Sequence, residues 1–214
     1  ERMVESPSVN EALRVLAETD YANKVAELTS VYDFEKILQA EIQHTYMMMQ
    51  KINPEAHLTD LISLKYDIHN LKVLLKAKYL KEASDELLFP VGTIPLAKLR
   101  VIIAEENFQD LPVALRAAVE KIIEEFTVSG DPQTIDLSLD RALYEMLIGI
   151  ARDLRSTILE GLFIREVDLT NIKTFLRVKR MGRDKEFLRK AALPHGRLPA
   201  DLFISLLDEP LEFL

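Results

Sequence analysis

Cysteine and tryptophan are absent from the 214 residues, and only six glycines are present. Without cysteine, the chain can form neither a disulfide nor a thiolate metal site. The glycines are too widely scattered to form a Gly-rich phosphate-binding loop. No apolar run approaches the roughly 18 residues that a membrane-spanning helix needs. Several common classes of redox, nucleotide-binding and membrane-spanning sites are therefore excluded within this sequence.

The residues that are present favour a folded, acidic protein. Hydrophobic residues make up 48% of the chain and charged residues 29%, which is enough for a sizeable core. The length suits one large domain or two small ones. The formal net charge is −8, whereas a nucleic-acid binder usually has a basic face. An acidic surface is better suited to a basic protein partner.

Apolar residues recur at helical spacing along almost the whole chain, so the sequence predicts an all-α fold. The long helix that begins near residue 133 is predicted to bury a face that includes Leu154 and Ile158. Similarly, Phe34 and Leu38 are predicted to lie on the buried side of their helix. The predicted helices cover 32–52, 55–80, 95–105, 111–127, a long segment from about 133, and a final segment that ends at Gly182.

A polar motif occurs twice inside apolar helical sequence. The segments "YDIHNLKVLLKAKY" (66–79) and "VDLTNIKTFLRVKR" (167–180) share the pattern D-[IL]-x-N-[LI]-K-x-x-L-[KR]-x-K. His69 matches Thr170, so histidine is not part of the shared pattern. The matched pairs are Asp67 with Asp168, Asn70 with Asn171, Lys72 with Lys173, and Lys78 with Lys179.

The repeat extends beyond this motif. "GTIPLAKLRVIIAEE" (92–106) resembles "GRLPADLFISLLDEP" (196–210), with nearly the same offset as the motif. The sequence therefore predicts a first helical unit over 1–94, a second over 95–195, and the start of a third over 196–214. A unit of this length exceeds the common solenoid periods of about 20–50 residues, which favours a few units closed around an axis. Because the first residue is Glu and the last residues resemble the start of an element, we expect a piece of a longer chain.

The recurring Asn is the most informative residue of the motif. Asn is unfavourable inside a helix unless its amide finds partners, so Asn70 and Asn171 are predicted to be buried and bonded to backbone; the alternative is that both are solvated. Asp168 could instead cap a helix that restarts there. Lys72 and Lys173 lie five residues after each Asp, so pairing along one helix face is doubtful.

Catalytic and metal-binding interpretations receive little support. Glu41 and His44 form one Glu-x-x-His, but a di-iron helical bundle needs two such motifs and two further Glu, and no second copy occurs. A polar helix face is the better interpretation. His69 is expected to be satisfied or partly exposed rather than catalytic, and His195 is expected to be exposed.

The C-terminal segment carries four large apolar residues with little chain left to cover them. They should either pair with another molecule or rest on the second unit. These residues are Phe203, Ile204, Leu206 and Leu207.

Together with "IDLSLDRALYEML" (135–147), the two motif copies resemble the C subunit of prokaryotic V-type (A-type) ATPases, over essentially the whole chain. The resemblance implies an all-helical funnel of three similar three-helix units around a pseudo-threefold axis. Members of that family are longer, so the third unit would be truncated here. The resemblance assigns no catalytic, cofactor or metal residues.

The resemblance also implies a mechanical role. Such a protein is a non-catalytic part of the central rotor, in the cytoplasm and peripheral to the membrane. Its expected partners are the central stalk subunits and the membrane rotor ring, between which it would transmit torque. A generic helical adaptor or scaffold remains an alternative, as does a metal-dependent helical-bundle enzyme. The sequence leaves open whether the transported ion is proton or sodium and whether synthesis or hydrolysis dominates.

Overall fold

The computed structural model describes residues 1–26, 28, 30, 33–53, 56–81 and 85–210. All regular secondary structure in these ranges is helical, which confirms the predicted all-α class. None of the described helices is long and apolar enough to span a membrane. The predicted third unit, 196–214, is described only as far as residue 210, and residues 32 and 55, where two predicted helices begin, lie outside the described residues.

Ten α-helices are described, and two short 3₁₀ turns lie between them at Asp85–Leu87 and Phe108–Asp110. The α-helices are α1 (Val9–Leu16), α2 (Ala22–Val25), α3 (Phe34–Ile52), α4 (Ala56–Leu80), α5 (Leu96–Glu105), α6 (Val113–Ser129), α7 (Gln133–Asp153), α8 (Thr157–Arg180), α9 (Lys185–Ala191) and α10 (Ala200–Leu206).

The first compact unit comprises residues 1–66 and 89–96. Its helix α3 buries Ile37 and Tyr46, and the Tyr46 ring packs edge-on against Tyr66 with 5.2 Å between ring centroids. Phe34 and Leu38 are exposed, so the prediction that they share the buried side is wrong. Ile37 and Tyr46 are nine residues apart and lie on opposite sides of a helix with 3.6 residues per turn. The two halves of α3 therefore bury different faces.

The second compact unit comprises residues 67–88 and 97–214. Within it, α6 packs on α7 and α7 packs on α8. Gly130 ends α6 with a left-handed φ of 62°, a conformation that glycine adopts without steric cost. The fully buried side chains of these three helices include Leu115, Val119, Ile122, Ile135, Leu139, Ile148 and Val167.

A break separates α7 from α8. Arg155 has a positive φ of 51°, and the Ser156 hydroxyl accepts a hydrogen bond from the Leu159 N–H as the N-cap of α8. The change of direction leaves Leu154 and Ile158 exposed. The prediction that both lie on the buried face of one long helix is therefore wrong.

The C-terminal apolar residues rest on α8 and α9, which belong to the predicted second unit 95–195, in agreement with one of the two predicted alternatives. Phe203, Ile204 and Leu207 are buried, and Leu206 packs partly buried against the same cluster. The rings of Phe175 and Phe203 lie 5.8 Å apart. The partners of this cluster on α8 and α9 are Phe175, Val178, Phe187 and Leu188.

Candidate functional site: the repeated polar motif

Asn171 lies in the middle of α8 and binds backbone through both ends of its amide. Its Nδ2 donates to the Leu193 carbonyl at 3.0 Å, and the Leu193 N–H donates to its Oδ1 at 2.8 Å. Both bonds are buried. The amide thus acts as a short piece of backbone that fixes the segment after α9. The prediction of a buried, backbone-bonded Asn171 is confirmed.

Asp168 fixes the same segment at a second point. Its Oδ1 accepts a hydrogen bond from the Leu198 N–H at 3.0 Å. A methyl group added at Gly196 would overlap this same oxygen, so a larger residue at position 196 would have to displace the Asp168 carboxylate. Because α8 runs unbroken through Asp168, the interpretation of this residue as a cap of a restarted helix is wrong.

Lys179 binds the end of the following helix. Its Nζ donates to the carbonyls of Leu206, Leu207 and Glu209, at and just beyond the C-terminus of α10. The last carbonyls of a helix lack intrahelical donors and carry partial negative charge, so a cation placed there is stabilising.

Lys78, the matching lysine of the first motif copy, makes the same kind of contact. Its Nζ donates to the carbonyls of Ile103 at 2.8 Å and Ala104 at 3.3 Å, at the C-terminal end of α5. It also forms an ion pair with Glu106 at 2.7 Å. In both copies the last lysine of the motif therefore binds the C-terminal end of a short helix, α5 for Lys78 and α10 for Lys179. Each of these helices follows a G-x-[IL]-P sequence, at 92–95 and 196–199.

The remaining polar residues of the first copy are also engaged. Asp67 and Asn70 are fully buried in α4, and neither is without a partner; the predicted burial of Asn70 is confirmed. The Nε2 of His69 lies 2.7 Å from the Leu87 carbonyl, which agrees with a satisfied histidine. At the matching position Thr170 lies 3.4 Å from the Tyr144 hydroxyl, and burial raises the pKa of that tyrosine.

Two ion pairs that sequence reasoning missed join α4 to α7. The Nζ of Lys72 lies 2.6 Å from Asp140, and the Nζ of Lys76 lies 2.7 Å from Asp136. The signal that could have revealed them is the shared spacing: both lysines and both aspartates are four residues apart, the distance that aligns two side chains on one helix face. Lys72, Asp136 and Asp140 border a cleft of about 460 Å³ whose lining also includes Arg177.

Lys173, the counterpart of Lys72, has a different environment. It is exposed and makes no ion pair with any residue that the structure describes. The motif thus contains residues with matching roles in both copies, such as Lys78 and Lys179, and one pair whose surroundings differ.

The candidate metal residues contact each other, and Glu41 also pairs with Lys24. The His44 Nδ1 lies 3.5 Å from Glu41, and the hydrogen bond from the Lys24 ammonium lowers the pKa of the Glu41 carboxyl. A cation at Glu41 competes with a metal for the same oxygens. Among the described residues there is no group of three or more His, Cys, Asp or Glu that could hold a metal ion.

Replacing Lys179 by Met should lower the free energy of unfolding by about 0.5–2 kcal/mol, because the carbonyls at the end of α10 lose a charged donor but remain partly accessible to water. Chemical denaturation measures the change. Arg189→Met is the matched control, since Arg189 is exposed on α9 and its replacement removes the same charge. Equal losses in the two variants would contradict a specific contribution from Lys179.

The chain is similar in sequence to one family of known proteins over almost its whole length. The model of the family described as "ATP synthase (C/AC39) subunit" matches residues 1–213. The C subunit of the A-type ATP synthase of Thermococcus kodakarensis is 25% identical over 93% of this chain and 57% of its own length.

Other relatives agree. The C subunit of the A-type ATP synthase of Methanocaldococcus jannaschii is 28% identical over 93% of this chain and 54% of its own length. The C subunit of the V-type sodium ATPase of Enterococcus hirae is 26% identical over 96% of this chain and 62% of its own length. The chain therefore spans little more than half the length of these relatives. Because the family model covers nearly every residue, the chain belongs to the ATP synthase (C/AC39) subunit family.

Proposed function

We propose that this chain is part of a non-catalytic central-rotor subunit of an A-type or V-type ion-translocating ATPase. The subunit links the central stalk to the membrane rotor ring and transmits torque between them. It lies on the cytoplasmic face of the membrane without entering it. The observation that carries the proposal is the family match over residues 1–213.

The chemistry of the motif supports a mechanical rather than a catalytic role. Asn171, Asp168 and Lys179 all bind main-chain groups of the same chain. Each of these side chains holds another segment of the chain in place, which is a structural role. A part that transmits torque needs contacts of this kind, which resist sliding between helices.

A reconstituted ATPase complex tests the proposal. Omitting the whole subunit should leave ATP hydrolysis by the soluble head measurable while abolishing ATP-driven ion transport, because the stalk is no longer joined to the ring. Returning the purified protein should restore the number of ions transported per ATP hydrolysed. A complex that keeps its transport per ATP without this protein would reject the rotor role and favour a generic helical adaptor.

A further inference from the structure

A second cleft lies between α6, α7 and α9, all of which belong to the second compact unit. Its volume is about 600 Å³, which is within the range of small-molecule sites. On α7 it is lined by Thr134, Ser138 and Arg141, whose spacing of four and three residues places them on one helix face. Asp136 and Asp140 lie on another face, toward α4. The role proposed above does not involve this cleft.

Arg141 has a buried donor that no residue of the described chain satisfies. Its Nη2 donates to the carbonyls of Lys190 at 3.2 Å and Ala192 at 3.4 Å, so the guanidinium is held at the end of α9. Its Nε is buried and has no hydrogen-bond partner within the described residues. Buried donors in folded proteins nearly always have a partner. The acceptor for this N–H therefore comes from outside the chain, as a water molecule or as a ligand.

Two hydroxyl groups lie on the same face of α7 as Arg141. Thr134 and Ser138 are half-buried, and neither hydroxyl forms a hydrogen bond within the described part of the chain. Each hydroxyl is able to donate one hydrogen bond to an anion. One face of α7 therefore lines the cleft with a guanidinium N–H and two O–H groups, all of which are donors.

Lysines from the two neighbouring helices add positive charge. Lys121 lies 3.6 Å from Glu125 and Lys190 lies 2.9 Å from Glu186, each pair at exposed positions within one helix. Such pairs contribute little to stability, so either ammonium group is able to turn toward a ligand. Glu124 and Glu125 also line the cleft, which leaves its lining with three cations and two carboxylates. The cleft thus has an excess of positive charge in a chain whose net charge is −8.

We propose that this cleft binds a phosphate monoester, with the phosphate oxygens on the Arg141 Nε, the Ser138 hydroxyl and the Lys190 ammonium. An anion that binds all three donors needs three acceptor positions. A terminal phosphate offers three strong acceptor oxygens, whereas a carboxylate offers two. Val128 and Leu137 provide apolar contact for the organic part of the ester. The proposal does not depend on whether the protein transmits torque.

Isothermal titration calorimetry with glycerol 3-phosphate tests this proposal, with glycerol as the matched probe that lacks the phosphate. We expect the ester to bind and glycerol not to bind. Ser138→Ala and Arg141→Lys should each weaken binding at least about tenfold, because a hydrogen bond to a charged group is lost. Lysine keeps the charge of Arg141 but cannot reproduce the Nε–H. Ser205→Ala and Arg189→Lys, at exposed positions outside the cleft lining, are the matched controls and should bind like the unchanged protein.

Arg141 also holds the end of α9, so circular dichroism is used to check that its variant is folded. The Ser138 side chain makes no such contact, and the result with Ser138→Ala is decisive if the Arg141 variant unfolds. Phosphate monoesters occur as soluble metabolites and as the headgroup of phosphatidate. Sedimentation with phosphatidylcholine vesicles, with and without phosphatidate, distinguishes these sources. Phosphatidate-dependent sedimentation that Ser138→Ala abolishes assigns the lipid; its absence, together with binding of glycerol 3-phosphate, assigns a soluble ester.

Two results would overturn the proposal. One is that neither glycerol 3-phosphate nor phosphatidate binds, in which case the cleft holds only water. The other is binding that Ser138→Ala and Arg141→Lys leave unchanged, because the phosphate would then lie elsewhere on the protein.

Discussion

Replacing Asn171 by Leu should lower the free energy of unfolding by more than about 2 kcal/mol, because each buried polar group left without a partner costs about 1–3 kcal/mol. Two such groups are created, the N–H and the carbonyl of Leu193. Leucine has a similar size and is apolar, so the change removes the hydrogen bonds without opening a large cavity. Urea denaturation of both proteins gives the difference.

Asn10→Leu provides the control for this experiment. Asn10 is an exposed residue of α1, so its replacement should change stability by no more than about 0.5 kcal/mol. Asn70→Leu should resemble the Asn171 variant, since Asn70 is fully buried. If the Asn171 variant were as stable as the Asn10 variant, the N–H and carbonyl of Leu193 would have found other partners. The Asn171 amide would then not have the stabilising role assigned to it.

Replacing Gly196 by Ala should destabilise the protein by about 1–3 kcal/mol, the usual cost of overpacking a filled site. The added methyl would overlap the Asp168 carboxylate and would lie 3.2 Å from a methyl group of Val167. Displacing Asp168 would also weaken its bond to the Leu198 N–H. Thermal or chemical unfolding measures the loss.

Gly149→Ala is the matched control, because Gly149 lies inside α7 and an added Cβ there meets nothing within 4 Å. Alanine should stabilise this helix by about 0.5–1 kcal/mol. A double-mutant cycle adds a sharper test: in an Asp168→Ala background the penalty of Gly196→Ala should shrink. If Gly196→Ala instead raises the free energy of unfolding as Gly149→Ala does, and shows no coupling to Asp168, then the close approach of residue 196 to Asp168 is not the reason for the glycine.

The sequence allowed much of the local structure to be predicted. Helical periodicity located the helices; α7, for example, buries Ile135, Leu139 and Leu143 at four-residue spacing. The repeated Asn also signalled its own burial, because two amides at matched positions among Leu and Ile are hard to explain as solvated groups. Asn171 shows the bonding that was expected of it. The burial of the amide could be predicted from the apolar pattern of α8 alone, although its partner Leu193 lies 22 residues further along the chain.

Contacts between distant segments could not be predicted in the same way. Lys72 binds a carboxylate 68 residues away, and no pattern around Lys72 identifies which helix packs beside it. The break at Arg155 was missed because Leu154 and Ile158 continue the apolar spacing across it; Ser156 followed by Glu160 was the available start signal. The exposure of Lys173 and the partial burial of Lys72 likewise depend on neighbours, not on the motif that they share.

The tie between α8 and residues 193–198 has a consequence for how force passes through the chain. A segment that follows a helix usually opens on its own, well before the helices around it. Here the amide hydrogens of Leu193 and Leu198 are bound by side chains from the middle of α8, and Lys179 binds the end of α10. A force applied to α10 is therefore transmitted directly to α8, because the linking segment and the two helices unfold together as one cooperative element.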